Sequence, residues 1–124
     1  MNESAKILVI DDSPTDLKLI SSLLIANGYE VFSASEAPIG IEMAMSLRPD
    51  LIILDVMMPI INGYNICRLI KDQAEYGNIP IVLVTSRTTE EDRRIGQEAG
   101  ANAYMSKPVN SKELMELVQQ LINL

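Results

Sequence analysis

Residues 7–16 read Ile7-Leu8-Val9-Ile10-Asp11-Asp12-Ser13-Pro14-Thr15-Asp16. The four apolar residues are short in extent and mostly branched, which predicts a buried strand that stops at two carboxylates. Ser13 is placed as a helix N-cap, with Pro14 in the first helical position and Asp16 close to the third, where free N–H groups favour an acid. Leu17, Ile20, Leu23 and Leu24 then supply the buried stripe of a helix that Asn27-Gly28 ends. A strand that passes into a helix through so short a turn is the first half of a parallel crossover unit.

The same alternation continues along the chain. Strands are predicted at 7–10, 30–34, 51–54, 81–84 and 103–106. A second helix runs over 37–47 and ends at Arg48-Pro49. A third covers 62–74, with Ile66, Cys67, Leu69 and Ile70 inward. A fourth covers 89–99, with Ile95 its only large apolar residue. A fifth has Ser111 as N-cap and Leu114, Leu117, Val118, Leu121 and Ile122 inward. Strict alternation of strand and helix calls for an α/β domain with a parallel sheet covered on both faces. Right-handed crossovers make the flavodoxin-like, doubly wound order 2-1-3-4-5 the expected one, with five strands and five helices. One isoleucine anchors a helix by only about 2 to 3 kcal/mol, so the fourth helix is expected to be the most easily displaced.

At 124 residues, the chain is long enough for one domain that buries roughly two-thirds of its unfolded surface, and residues 1–124 are read as one unit. A charge of −7, from 10 basic and 17 acidic residues, with no basic run, argues against direct nucleic-acid binding. Cys67 is the single cysteine and falls in an apolar stripe, where it reads as a small core residue; with no histidine and no cysteine cluster, the chain lacks the usual zinc donor set. The polar start, Met1 to Lys6, does not resemble a secretion signal, and no segment is long enough to span a bilayer. A cytoplasmic location with no membrane contact is expected.

Open parallel sheets bind ligands at the carboxyl ends of their strands, at the point where strand order switches. Here those ends carry Asp11-Asp12, Asp55, Thr85-Ser86 and Lys107. Each has an ordinary reading by itself: a dipole-complementing pair, a turn acid, a helix-approaching hydroxyl, a solvated ammonium. Their convergence is more informative. Three clustered carboxylates repel one another by about 1 to 4 kcal/mol per pair at surface-like dielectric, so a cation is expected among them. An all-oxygen donor set suits Mg²⁺. An aspartate beside Mg²⁺ can attack phosphorus and form an acyl phosphate. Lys107 and the Thr85 hydroxyl would then pair two phosphoryl oxygens, with the main-chain N–H groups of Val56 and Ser86 completing the cradle.

Over nearly its whole length the chain closely resembles the receiver domains of bacterial two-component response regulators. The matching residues are Val9-Ile10-Asp11-Asp12, then Asp55-Val56-Met57-Met58-Pro59 with Asn62-Gly63, then Thr85-Ser86, then Lys107-Pro108. The resemblance implies Asp55 as phosphoacceptor and Mg²⁺ held by Asp11, Asp12, Asp55 and the Met57 main-chain carbonyl. It implies a switch in which Tyr104 is coupled to the Thr85 hydroxyl, although a half-buried strand aromatic reads the same way. It also implies a cis bond before Pro108, and an influence on phosphoryl hydrolysis for Met57 and Arg87, the latter equally readable as a solvated side chain.

The implied partners are a sensor histidine kinase or histidine phosphotransfer protein, docking near the first helix and the Pro108 loop, and a downstream target on the face of the fourth helix, fifth strand and fifth helix. The protein would act as a monomer or a phosphorylation-dependent dimer, of the stand-alone chemotaxis or pilus-motility type. It would catalyse only its own phosphoryl transfer and dephosphorylation. A haloacid-dehalogenase-like phosphatase uses similar groups, but its acids stand two apart after strand one and a cap encloses its substrate. A flavodoxin-like flavin carrier would need hydroxyls and glycine in place of Asp11-Asp12. A receiver-like adaptor that is never phosphorylated is the remaining alternative.

Overall fold

The computed structural model describes residues 4–59 and 61–122. Strands β1 (Lys6–Ile10), β2 (Glu30–Ala34), β3 (Leu51–Asp55), β4 (Ile81–Thr85) and β5 (Ala103–Ser106) alternate with helices α1 (Pro14–Ala26), α2 (Ala37–Leu47), α3 (Gly63–Lys71), α4 (Glu90–Glu98) and α5 (Ser111–Ile122). The sheet is parallel, in the order β2-β1-β3-β4-β5.

The central strands are apolar on both faces, and their period of two sorts side chains into two cores. Ile7, Val9, Leu51, Ile53, Val82 and Val84 pack with Ile20 and Leu24 of α1 and with Leu114 and Val118 of α5. Leu8, Ile10, Ile52, Leu54, Ile81 and Leu83 pack against α2, α3 and α4 on the other side. The helices thus form two layers around the sheet, and the register pairs Ile10 with Leu54, Asp55 with Val84 and Thr85 with Ser106. The strand ends are therefore level.

Three details depart from the sequence reading. Helix α3 stops at Lys71, not at residue 74, and Asp72 is its C-cap. The chain turns early because the Lys71 ammonium gathers carbonyls of the following loop, Gly77 at 3.2 Å and Ile79 at 2.8 Å, together with the Asn102 side-chain oxygen at 2.8 Å. Leu69 is exposed, since it lies about 105° round the helix from the centre of the stripe formed by Ile66, Cys67 and Ile70. The N-cap of α5 is Asn110, whose side-chain oxygen accepts the Glu113 N–H at 3.0 Å, and Ser111 is the first helical residue. Ser13 does cap α1, accepting the Asp16 N–H at 3.3 Å.

Helix α4 is held by more than Ile95. Asp92, Gly96 and Ala99 are buried. A methyl group on Gly96 would come within 2.9 Å of the Tyr104 ring and 3.0 Å of Leu83, so only glycine lets the helix lie this close to β4 and β5. The sequence reading counted large apolar residues and so missed an anchorage built from small and polar ones. Among the described residues no helix is long and apolar enough to cross a membrane.

Lys71 joins the amino-terminal ends of β4 and β5, opposite the carboxylates. Burial lowers the pKa of its ammonium, so its worth lies in its hydrogen bonds. Lys71→Met keeps the stem and removes those bonds, and urea unfolding is expected to register a loss of about 1 to 3 kcal/mol.

Candidate functional site

Each polar residue singled out at a strand end lies at the carboxyl edge of the sheet. Asp11 directly follows β1 and is 1% exposed; its N–H donates to the Ala34 carbonyl at 3.1 Å, which ties it to β2. Its Oδ1 accepts the Ser13 N–H at 2.9 Å, so the turn into α1 fixes the carboxylate. Asp12 is exposed. Asp55, the last residue of β3, is 4% exposed and accepts the Met57 N–H at 3.3 Å. One oxygen from each of Asp11, Asp12 and Asp55 can be chosen so that all lie within 4.8 Å of one another.

Lys107 reaches this cluster from beyond β5. Its Nζ lies 3.0 Å from Asp11, 2.9 Å from Asp16 and 3.6 Å from Asp55. Asp16, read from the sequence only as a helix-start acid, is thus a close partner of the lysine; the first turn of α1 brings it there, which no linear spacing revealed. Burial by itself would lower the Lys107 pKa, but its hydrogen bonds to Asp16 and Asp11 and the charges of Asp55 and Asp11 raise it. The Lys107 hydrogen bond holds the Asp16 carboxyl below its usual range. Asp55 is shared less closely: burial first, then the Asp11 charge, push its carboxyl up to about 7. The peptide bond joining Lys107 to Pro108 is cis.

The segment after Asp55 is folded tightly against it. Met58 and Gly63 donate N–H groups to the Val56 carbonyl at 3.1 and 2.9 Å. A side chain at Gly63 would collide with the Asp55 carbonyl and sit 2.7 Å from the Val56 Cα. Asn62-Gly63 is therefore required by close approach of backbone to backbone, with Asn62 also capping α3 through the Asn65 N–H at 3.0 Å.

On the other side of Asp55, Thr85 is fully buried and its Oγ accepts the Arg87 N–H at 3.1 Å, while Ser86 is exposed. Arg87 leans over the mouth of the site, its Nε donating to the Met57 sulfur at 2.9 Å, so these two residues touch. Tyr104 is half-buried and donates to the Arg87 carbonyl at 2.6 Å. Its coupling to Thr85 thus runs through one residue's main chain rather than directly. Tyr64, to which the sequence reading assigned no role, is buried and lies 3.0 Å, oxygen to oxygen, from Tyr104. A tyrosine beside Asn62-Gly63 carried no spacing signal that tied it to β5.

A raised carboxyl pKa has a definite sign in stability. Unfolded, Asp55 loses its proton near its ordinary value of 3.8; folded without metal, it keeps the proton up to about 7. The stabilisation from binding that proton is full below about pH 4 and is lost as pH rises through about 7. Asp55→Asn, which cannot ionise, is expected to stabilise the metal-free protein by roughly 1 to 3 kcal/mol at pH 8 and by much less at pH 5. Urea melts in EDTA at the two pH values measure this. A cation that uses the Asp55 carboxylate would bind more weakly as pH falls below 7, because proton and cation compete for it.

With this geometry in place, comparison with known proteins is informative. The sequence profile of the response regulator receiver domain matches residues 7–119. The response regulator PleD of Caulobacter vibrioides is 40% identical over 118 residues, which are 95% of this chain and 26% of PleD, so the chain spans about a quarter of that relative. Protein PilH of Pseudomonas aeruginosa is 32% identical over 118 residues, covering 95% of this chain and 98% of PilH. The receiver domain of sensor histidine kinase PA1611, also from Pseudomonas aeruginosa, superposes with a TM-score of 0.91 at 29% identity, over 98% of this chain and all of that one. Its structure holds a magnesium ion coordinated in the active-site cleft. The chain belongs to the response regulator receiver domain family, the phosphorylation-dependent switches of two-component signalling.

Proposed function

We propose that Asp55 is the phosphoacceptor of this chain and that Asp11, Asp12 and Asp55, with the Met57 main-chain carbonyl, hold Mg²⁺. The observation that carries the reading is the placement of Asp55: buried at the end of β3, within reach of two other carboxylates and 3.6 Å from the Lys107 ammonium. The donor set is all oxygen, and the pKa of Asp55, raised first by burial and then by the Asp11 charge, marks a carboxylate that gains from an added cation. Both features fit Mg²⁺. When bound, the ion offsets negative charge on the incoming phosphoryl oxygens.

Receiver domains take phosphoryl groups from histidine kinases and act on downstream targets. In this chain a carboxylate oxygen of Asp55 would form the bond to phosphorus while the bond from phosphorus to the donor's imidazole nitrogen breaks, the nitrogen leaving with its electron pair and then taking a proton from solvent. Lys107, already held by Asp11 and Asp16, would turn to a phosphoryl oxygen, the Thr85 hydroxyl to a second, and the N–H groups of Val56 and Ser86 would line the cradle. The chain would catalyse its own phosphoryl transfer and, once loaded, its hydrolysis, with Met57 and Arg87 at the mouth influencing the rate of that hydrolysis. We read residues 1–124 as a single receiver domain. Its phosphodonor is a sensor histidine kinase or a histidine phosphotransfer protein docking near α1 and the Pro108 loop, and its target engages the α4, β5 and α5 face.

Incubation with acetyl phosphate and Mg²⁺ is expected to add the mass of one phosphoryl group, with EDTA or Asp55→Asn abolishing the gain. Lys107→Ala is expected to retain Mg²⁺ binding, read by tyrosine fluorescence or calorimetry, while slowing labelling at least about tenfold, the scale for losing one charge-stabilising group. Labelling retained by Asp55→Asn would overturn the assignment.

A further inference from the structure

Ser13-Pro14-Thr15-Asp16 has the pattern of a capping box, with Asp in place of its usual longer acid. In that motif the N-cap hydroxyl accepts the N–H of the third helical residue, and the side chain of that residue accepts the N-cap N–H in return. Only the first half is made here. The Ser13 hydroxyl accepts the Asp16 N–H at 3.3 Å, but the Ser13 N–H goes to Oδ1 of Asp11 at 2.9 Å. Asp11 has taken the donor that Asp16 would have used. The Asp16 carboxylate turns to Lys107 instead, its Oδ2 2.9 Å from Nζ, the shortest of the three ion pairs of that lysine.

Asp11 and Asp55, the other two partners of Lys107, belong to the converging carboxylates of the site, and Asp16 does not. An ammonium has three N–H donors but a single charge. A phosphoryl group on Asp55 would call on that same charge. Two anions held by one ammonium stand at most about 6 Å apart, so they also repel one another. The Lys107 side chain is 16% exposed and that of Asp16 36%, so water screens the pair only in part. Nor is Asp16 needed to fix the lysine in place, because the buried Asp11 carboxylate already holds Nζ at 3.0 Å. What Asp16 adds is a negative charge that draws on Lys107 from outside the site.

We infer that Asp16 is a positioning residue acting through Lys107: its carboxylate competes for the ammonium and so weakens the hold of the site on a phosphoryl group. The inference rests on the phosphoacceptor reading given above. With Asp16 neutral, the ammonium has one competitor fewer and moves toward an anion on Asp55 at less cost.

The test measures affinity for beryllofluoride, a mimic of the bound phosphoryl group, at saturating Mg²⁺. Asp16→Asn keeps the shape of the side chain and removes its charge, and is expected to bind the mimic about two- to fivefold more tightly, the range for a partly exposed ion pair. Two controls separate this from other effects. Asp16→Glu retains the charge, and Glu36→Gln removes one from an exposed acid at the same edge of the sheet whose side chain makes no cap bond. Each is expected to stay within about 1.5-fold of the unmodified chain, since screening by water and salt leaves distant exposed charges little influence. Unchanged or weaker binding in Asp16→Asn overturns the proposal. So does an equal gain in Asp16→Glu, which would trace to shape, or in Glu36→Gln, which would trace to overall charge. A second measurement does not involve phosphorylation: urea unfolding in EDTA of Asp16→Asn, Lys107→Met and the double variant. Asp16→Asn is expected to lower the midpoint more when Lys107 is present than when it is replaced, because only then is an ion pair lost. Equal shifts in the two backgrounds overturn the pairing. Failure of the unmodified chain to bind beryllofluoride counts instead against the phosphoacceptor reading, and the urea comparison still decides the pairing.

Discussion

The ammonium of Lys107 lies among three carboxylates, 2.9 Å from Asp16, 3.0 Å from Asp11 and 3.6 Å from Asp55, and the rest of the site depends on how unequally it is shared. A level parallel sheet gathers acids at the ends of neighbouring strands, where they repel one another. One positive charge cannot balance three negative ones. Lys107 gives its close contacts to Asp11 and Asp16, which leaves Asp55 buried, near another acid and short of a counter-charge. Its raised pKa follows directly. A group in that condition gains most from an added cation, and a carboxylate freed of its proton beside such a cation is a nucleophile. The physical basis of the site is thus the burial of one carboxylate beside a second, with too little positive charge close to it.

The deficit is maintained by the backbone. Ser13 donates to Asp11, Met57 donates to Asp55, and Gly63 allows the loop after β3 to close over the Asp55 carbonyl. These contacts orient the acids alongside the Lys107 ammonium. On the far side, Thr85 is connected to Tyr104 by the two ends of one residue's main chain, Arg87 N–H and Arg87 C=O. A displacement of about one hydrogen-bond length at Thr85 therefore moves the acceptor of Tyr104. The site and the α4–β5 face are thus joined through the main chain of a single residue, Arg87.

Much of this was legible in the linear pattern. Branched apolar runs ending in Asp11, Asp55 and Thr85, each followed by a helix signal, imply level strand ends once the sheet is parallel. The two cores follow from apolar residues at both parities of β1, β3 and β4. Other features were not legible. Leu69 reads as inward until the helix phase is set by its neighbours. The early end of α3 follows from the Lys71 ammonium meeting carbonyls on the next loop, and α4 is anchored by Gly96 and Asp92, residues that an apolar count ignores. The cap of α5 moved by one residue because Asn110 and Ser111 are both good caps and only the path of the preceding loop chooses between them.

The sequence by itself determined the strand and helix order, the chemistry of each strand end and therefore the family, because hydrophobic period and capping are local properties. The tertiary structure alone decided which charges share Lys107 and which hydroxyls meet. Asp16 and Lys107 are 91 residues apart and Tyr64 and Tyr104 are 40 apart. Partnerships of that kind depend on distances of a few tenths of an ångström between side chains on different elements, and no regularity along the chain encodes them.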